Sequence, residues 1–363
     1  MTRWIALTVV AALAQTTAMA ADDTGFYGPL RARDLTPFGF LRLDMRPVLG
    51  GFGEPGAWAV ATEVAYQNTW ALSRETEKYL GRLPGRRQLG PAEFQAIRDL
   101  PGENFLIDLE LAQFDMTLYY QLSHAWSAYL ILSGATYQGG FLDGMIERFH
   151  DAFAFSNFGR PAANRNDVNI LLDLKSSQYA AYEAPTSGGL LDPTLGVRYS
   201  GIAMPENWKL VLEGAAKIPV AGRREMLSSG RVDFGVQATL QRYWQRQAFY
   251  ANLSGVYYAG TGGFMPSDAQ VIPTLVLGYE LKLSARTNAI IQGYASPSVY
   301  TRADTDLDEL TATKFQISLG VHHRRGAHLF TFAATENLQN FNNTPDIGFQ
   351  LGWAYVAGRP LRP

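Results

Sequence analysis

Apolar and polar residues alternate along most of this chain. In residues 58–67, Trp58, Val60, Thr62, Val64 and Tyr66 share one face, and Ala59, Ala61, Glu63, Ala65 and Gln67 the other. A period of two marks a strand with one greasy and one wet side. The pattern returns at 208–220, where Trp208, Leu210 and Leu212 oppose Lys209, Glu213 and Lys217. It returns again at 231–244, 314–323 and 346–355.

The connections between these segments come in two lengths, and the lengths alternate. Short ones fall near 123–126, 203–207, 244–246, 285–287 and 323–327. Long ones, rich in Gly, Pro and Asp, fall near 68–102, 139–189, 219–230, 260–270, 297–312 and 337–345. Tight turns on one rim and long loops on the other describe a transmembrane barrel; a soluble sandwich has no reason to keep that order. The fold class expected is therefore all-β, a transmembrane antiparallel β-barrel of about 12 strands over residues 57–363. Upward strands should start near Trp58, Ser127, Trp208, Gln247, Asn288 and His328, and downward strands near Asn104, Leu190, Arg231, Val271, Lys314 and Asp346. Trp58, Trp126, Trp208, Trp244 and Trp353 then gather at the short-turn rim, as an aromatic girdle does.

One strand breaks its own rhythm. Its apolar face runs Phe105, Ile107, Leu109, Leu111 and then Phe114, Met116, Leu118, Tyr120. The change of parity at Ala112-Gln113 predicts a β-bulge, which inserts one residue and reverses the facing; a tight hairpin there is the alternative and would change the strand count.

The wet faces place Glu63, Asp108, Glu110, Glu213, Asp233 and Glu280 in the lumen with Lys209, Lys217, Lys282 and Lys314; Asp115 belongs to the same set. Both signs are present, so no ion preference follows. Pairing across the lumen is the ordinary fate of such charges.

Composition narrows the class further. Arg3, an apolar run from Trp4 and the small-x-small triplet Ala18-Met19-Ala20 read as a signal peptide, 1–20, cleaved near Ala20. Residues 21–56 form an N-terminal periplasmic or lumenal segment, with a short strand expected from Phe38 to Met45. The 363 residues contain no cysteine, which excludes disulfides, thiolate metal sites and a lipidated cysteine. A net charge of -2 gives no basic face for nucleic acid. Aromatic residues at 12% and 35 glycines with only 18% charged residues suit a barrel facing lipid.

The longest loop carries "GGFLDGMIERFHDAFAF" from Gly139. Leu142, Ile146, Phe149 and Phe153, with Met145, recur at helical spacing, so a short amphipathic helix is expected over 142–153, capped by Asp143. This helix is read as a lid or constriction at the extracellular mouth; the barrel mouth and the lipid headgroups are the two nearest surfaces on which its apolar face can be buried. His150 and Asp151 are helix neighbours about 100° apart, so they make no dyad. His322 and His323 point to opposite faces of a strand and make no metal pair. No catalytic residue, metal or cofactor is expected, and the protein is read as a non-enzyme. "DVNILLDLKSSQYAAYEA" from Asp167 reads as a hairpin within the same loop.

The stretch beginning Gly-Phe-Leu-Asp, with Ile146-Glu147 and Phe149-His150-x-x-Phe153, resembles an uncharacterised family of Gram-negative outer-membrane proteins known as a domain of unknown function. "DPTLGVRYSG" and "WKLVLEGAAKIPVAGR" look like its next strands and loop. The resemblance implies an envelope location and supplies no activity. Ala154 stands where the pattern leads us to expect glycine, and the final "GRPLRP" lacks the aromatic ending usual for such barrels.

The function expected is a porin-like passive channel or transporter for small solutes. The alternative is a structural or surface-interaction barrel with a plugged lumen, and an outer-membrane lipid-modifying or proteolytic enzyme ranks third. The implied partners are outer-membrane lipid, an unknown small solute and the barrel-assembly machinery. The protein should fractionate with outer membranes and change its gel mobility on heating. Recovery from the soluble periplasm would refute the barrel.

Overall fold

A computed structural model describes residues 25–36, 39–46, 55–220, 223–224, 226–260, 268–339 and 341–355. The expected signal peptide with its Ala20 cleavage site, and the terminal "GRPLRP", lie outside the described residues.

Twelve antiparallel strands close into one barrel. They are β1 (Trp58–Leu72), β2 (Asn104–Gln121), β3 (Trp126–Gln138), β4 (Thr194–Tyr199), β5 (Trp208–Lys217), β6 (Asp233–Tyr243), β7 (Gln247–Tyr258), β8 (Gln270–Lys282), β9 (Thr287–Ser296), β10 (Lys314–Arg325), β11 (His328–Gln339) and β12 (Ile347–Tyr355). Each pairs with its neighbour in sequence, and β1 pairs with β12 to close the wall. Alternation explains the closure. One face of every strand is apolar and the other polar, so a closed sheet hides every edge and sends one face to lipid. Val64, Phe114, Leu212, Phe234, Leu253, Leu275, Leu319 and Leu351 all lie exposed on the outer face. Among the described residues no helix is long and apolar enough to cross a membrane, and the strands supply the spans.

The tryptophans ring the short-turn rim. Trp58 packs on Tyr120, Trp126 on Tyr199, and Trp353 donates its indole N–H to His328. The Arg242 guanidinium sits between the rings of Trp208 and Trp244.

The bulge at Ala112-Gln113 does not form. β2 runs 18 residues in unbroken register with β1 and with β3. Phe114, Met116, Leu118 and Tyr120 face lipid, while Phe105, Ile107, Leu109 and Leu111 point inward into an apolar core. The parity of apolar residues changes because the surroundings change, not because the backbone slips. Above the lipid band the inside of the wall becomes dry.

That dryness comes from the loops. The hairpin of Asn169–Leu174 and Ser177–Ala181 continues the wall above β3, its first strand pairing with Asn104–Asp108 of β2. Ile170 and Leu172 join Phe105 and Ile107 in the mouth, with Met226, Val299, Tyr300 and Leu310 from two other loops. On the outer side α1 (Arg74–Leu80) and α2 (Pro91–Arg98) cover Trp70, Leu72 and Leu106 through Leu80, Phe94 and Ile97. The wall is thus taller than the membrane, and its upper band is buried on both faces.

A charge at the lipid-facing, mid-strand Leu253 should destabilise the barrel. Leu253→Arg is expected to cost about 2–4 kcal/mol near the bilayer midplane. Leu253→Met keeps the apolar face and should cost less than about 1.5 kcal/mol. Denaturant unfolding in lipid vesicles distinguishes the two; equal costs would mean that the facing is wrong.

Candidate functional site

The N-terminal segment lies inside the barrel. It enters at the short-turn rim, where Phe26 packs against Tyr243, Ala248 and Tyr250. The backbone N–H groups of Tyr27 and Gly28 donate to the Glu280 carboxylate, each at 3.0 Å. His322 meets the Gly28 carbonyl through Nε2 at 3.1 Å. Higher up, Leu30 packs with Ile290 and Ala333. Its carbonyl accepts from Gln292 at 3.0 Å.

At mid-height the contacts become ionic. Arg31 and Arg33 both reach Asp115, and Arg31 lies 3.6 Å from Glu63. The Asp34 carboxylate pairs with Lys314, whose ammonium also donates to Thr36 at 3.0 Å. The chain then turns, with the N–H groups of Gly39 and Phe40 donating to the Thr36 carbonyl, and Leu35, Phe40 and Leu41 enter the mouth core. It descends along another side. Arg42 donates to Tyr294 and Ser296 and pairs with Asp44 at 3.0 Å. The Leu43 N–H donates to Asp233, which pairs with Lys217 at 2.8 Å. Arg46 pairs with Glu63, donates to Thr117 at 2.6 Å, and offers its carbonyl to Gln237. The expected strand from Phe38 to Met45 is absent from its described part, which holds a turn. The backbone finds its partners in barrel side chains, so it needs no neighbouring strand.

The segment is therefore a hairpin-shaped plug. Desolvated charges are tolerated when each meets a partner, and removing one partner strands the other. A cavity of about 50 Å³ remains beside the plug, lined in part by Arg31, Arg33, Arg42, Asp44, Asp192 and Lys217. It has room for a few water molecules and no more.

The charges read from the sequence fall into two groups. Glu63, Asp233, Glu280 and Lys314 touch the plug as described, and the Lys217 ammonium donates to the Leu41 carbonyl. Lys282 lies over the Phe26 ring at 4.1 Å. Glu213 binds Arg198 and the Tyr129 hydroxyl, and Lys209 lies 5.7 Å from the Tyr243 ring, all on the inner side. Asp108 and Glu110 are different. They share the even-numbered face of β2 with lipid-facing Phe114, so they point out of the wall, not into the lumen. Loops bury them there: Asp108 accepts from Asn169 at 3.0 Å, and Glu110 accepts from Tyr66 and Asn68. Sequence alternation assigned them inward because the expected bulge would have reversed their facing.

The loop helix is α3 (Asp143–Phe153), and it does not sit over the mouth. After β3 the chain crosses the outside of β2, where the N–H groups of Phe141 and Leu142 donate to Glu110. Phe141 then stacks on lipid-facing Tyr66 at 5.1 Å. Asp143 does not cap the helix. It accepts instead from Asn68 at 3.1 Å and from the Asn166 N–H at 2.7 Å, and it pairs with Arg160, which also reaches Asp346. On the next turn Glu147 pairs with Arg86 and Arg165. Burial raises its carboxyl, but hydrogen bonds and charge from these two arginines outweigh that and hold it below the ordinary carboxylate range. Leu142 and Ile146 are buried, whereas Phe149 and Phe153 are exposed. Ala154 takes the left-handed conformation at φ 57°, which is why glycine is expected there. Asp151 is engaged by Asn157 at 2.8 Å, and His150 lies among Phe149, Phe155 and Phe158.

A family model described as a protein of unknown function, DUF3187, matches residues 101–356. The chain belongs to this family. No curated protein matches its sequence. Solved structures share its fold. An outer membrane channel from Pseudomonas putida F1 is 10% identical, with a TM-score of 0.51 over 86% of this chain and 100% of the other. Looser likenesses are the P. putida toluene transporter TodX, 8% identical over 84% of this chain and 91% of the other with a TM-score of 0.40, and the translocator domain of the autotransporter NalP from Neisseria meningitidis, 8% identical over 83% and 88% with a TM-score of 0.42. The fold of this family member is thus an outer-membrane β-barrel with a plug.

The arginines of the plug were not singled out in the sequence. Their signal was there, since Arg31, Arg33, Arg42 and Arg46, with Asp34 and Asp44, punctuate a segment otherwise rich in apolar residues. Lys314→Met leaves Asp34 buried without its partner and should destabilise the fold by about 3–5 kcal/mol. Adding Asp34→Asn should recover most of that loss. Urea midpoints of the two variants in vesicles check the pair; no recovery in the double variant would show that the two charges are not coupled.

Proposed function

We propose that this protein is an outer-membrane channel or transporter for small solutes, closed by its own N-terminal hairpin. The observation that carries this reading is how the lumen is filled. The wall does not fill it with its own packed side chains. A separate segment does, held by ion pairs at Asp115, Glu63 and Lys314 and by a backbone hydrogen bond to Asp233. Polar contacts of this kind can be exchanged for water, which lowers the cost of moving the plug at mid-height. The fold it shares with an outer membrane channel agrees with this reading. Opening also requires movement at the mouth, where the plug tip and three loops form an apolar cork. The helix α3 then acts from outside the wall, not as a lid.

The cork favours a second reading, a permanently closed barrel whose loops serve as a surface. Planar-bilayer recordings separate the two. The full chain should show rare conductance steps. A variant carrying Arg31→Ala, Arg33→Ala and Asp115→Asn removes three charges together and strands none of them. It should show frequent steps while keeping its heat-modifiable gel mobility. A folded variant that stays silent would sink the channel and leave the closed barrel.

A further inference from the structure

The helix α3 has three faces, and only two of them have a use. Ile146 and Glu147 face the wall and the neighbouring loops, where Glu147 is clamped by Arg86 and Arg165. Arg148 and Asp151 are exposed and polar, and so suit water. The third face is aromatic and bare. Phe149 is 50% exposed, Phe153 61%, and Phe155, just beyond the helix, 57%. These rings pack on each other, Phe149 to Phe153 at 4.8 Å and Phe153 to Phe155 at 6.0 Å. Phe141, 68% exposed, precedes the same helix. An apolar patch of this kind in water marks an interaction surface.

We infer that this face is a membrane anchor, buried among the acyl chains of the outer leaflet beside β1 and β2. Position decides the occupant. The helix is fastened to the outer side of the wall, through Asn68 and Glu110, so its bare rings cannot reach the mouth core. Phe141 stacks on Tyr66, and Tyr66 continues the outward row Val64, Thr62, Val60 of β1. The aromatic face is therefore continuous with the lipid-facing band. A helix with one apolar face, one charged face and rings of Phe is the form that lies in a membrane interface. The anchor also explains why so much polar bonding is spent outside the wall: Glu110, Asn68, Asp143, Arg160 and Asp346 fix the height of the helix at the edge of the lipid band. The inference stands whether or not the lumen conducts.

The chain contains no cysteine, so a single introduced one reports its own site. Phe153→Cys and Phe149→Cys, each spin-labelled in the full chain in vesicles, would be compared with Phe114→Cys for lipid and Arg148→Cys for water. Both substituted rings are surface-exposed, so the barrel should fold. Relaxation by molecular oxygen should exceed relaxation by a water-soluble nickel chelate several-fold at both sites, as at Phe114→Cys. A chelate-dominated pattern like that at Arg148→Cys would overturn the anchor. So would labels shielded from both reagents, which would indicate a protein partner or contact with the mouth.

Discussion

Twelve strands whose wet faces turn inward concentrate carboxylates and ammonium groups in a narrow space, and those charges must find partners there. The N-terminal hairpin supplies them. Arg31, Arg33 and Arg46 meet Asp115 and Glu63, Asp34 meets Lys314, and backbone N–H groups meet Glu280 and Asp233. Each pair would be costly to leave half-made in a low-dielectric interior. The plug and the wall are thus complementary, and neither interior face is satisfied alone.

A second consequence follows from the height of the wall. β1 and β2 extend well past the lipid band, to Leu72 and Asn104. Above the bilayer, an outward face designed for lipid would meet water. The chain buries it instead under α1, α2 and α3, with Trp70, Leu72 and Leu106 in one cluster. The inner face at the same height is closed by the hairpin strands and the plug tip. The extracellular end is therefore a small soluble core built on both sides of a membrane wall. The plug is held by charge at mid-height and by apolar packing at its tip, so release involves two different costs.

Much of this was legible in residue order. The period of two located all twelve strands to within a few residues, and the alternating loop lengths set their direction. The tryptophans marked the rim. The amphipathic helix was legible too, in the spacing of Leu142, Ile146, Phe149 and Phe153. What failed was the surroundings of these elements. The sequence cannot state where lipid stops, so the parity change in β2 read as a bulge, and Asp108 and Glu110 were turned inward. The same blindness put α3 over the mouth. Its apolar stripe announces that something covers it, not which side of the wall it lies on.

Strand number, inward charge and the aromatic rim are local properties, written in spacing that the backbone must obey whatever its neighbours do. The plug, the cork and the outer seat of α3 are contacts between residues far apart in the chain, such as Asp34 with Lys314 and Arg160 with Asp346. Which arginine reaches which carboxylate depends on the diameter and register of a closed sheet. Only the closed barrel brings those residues within bonding distance, so only the tertiary structure could decide them.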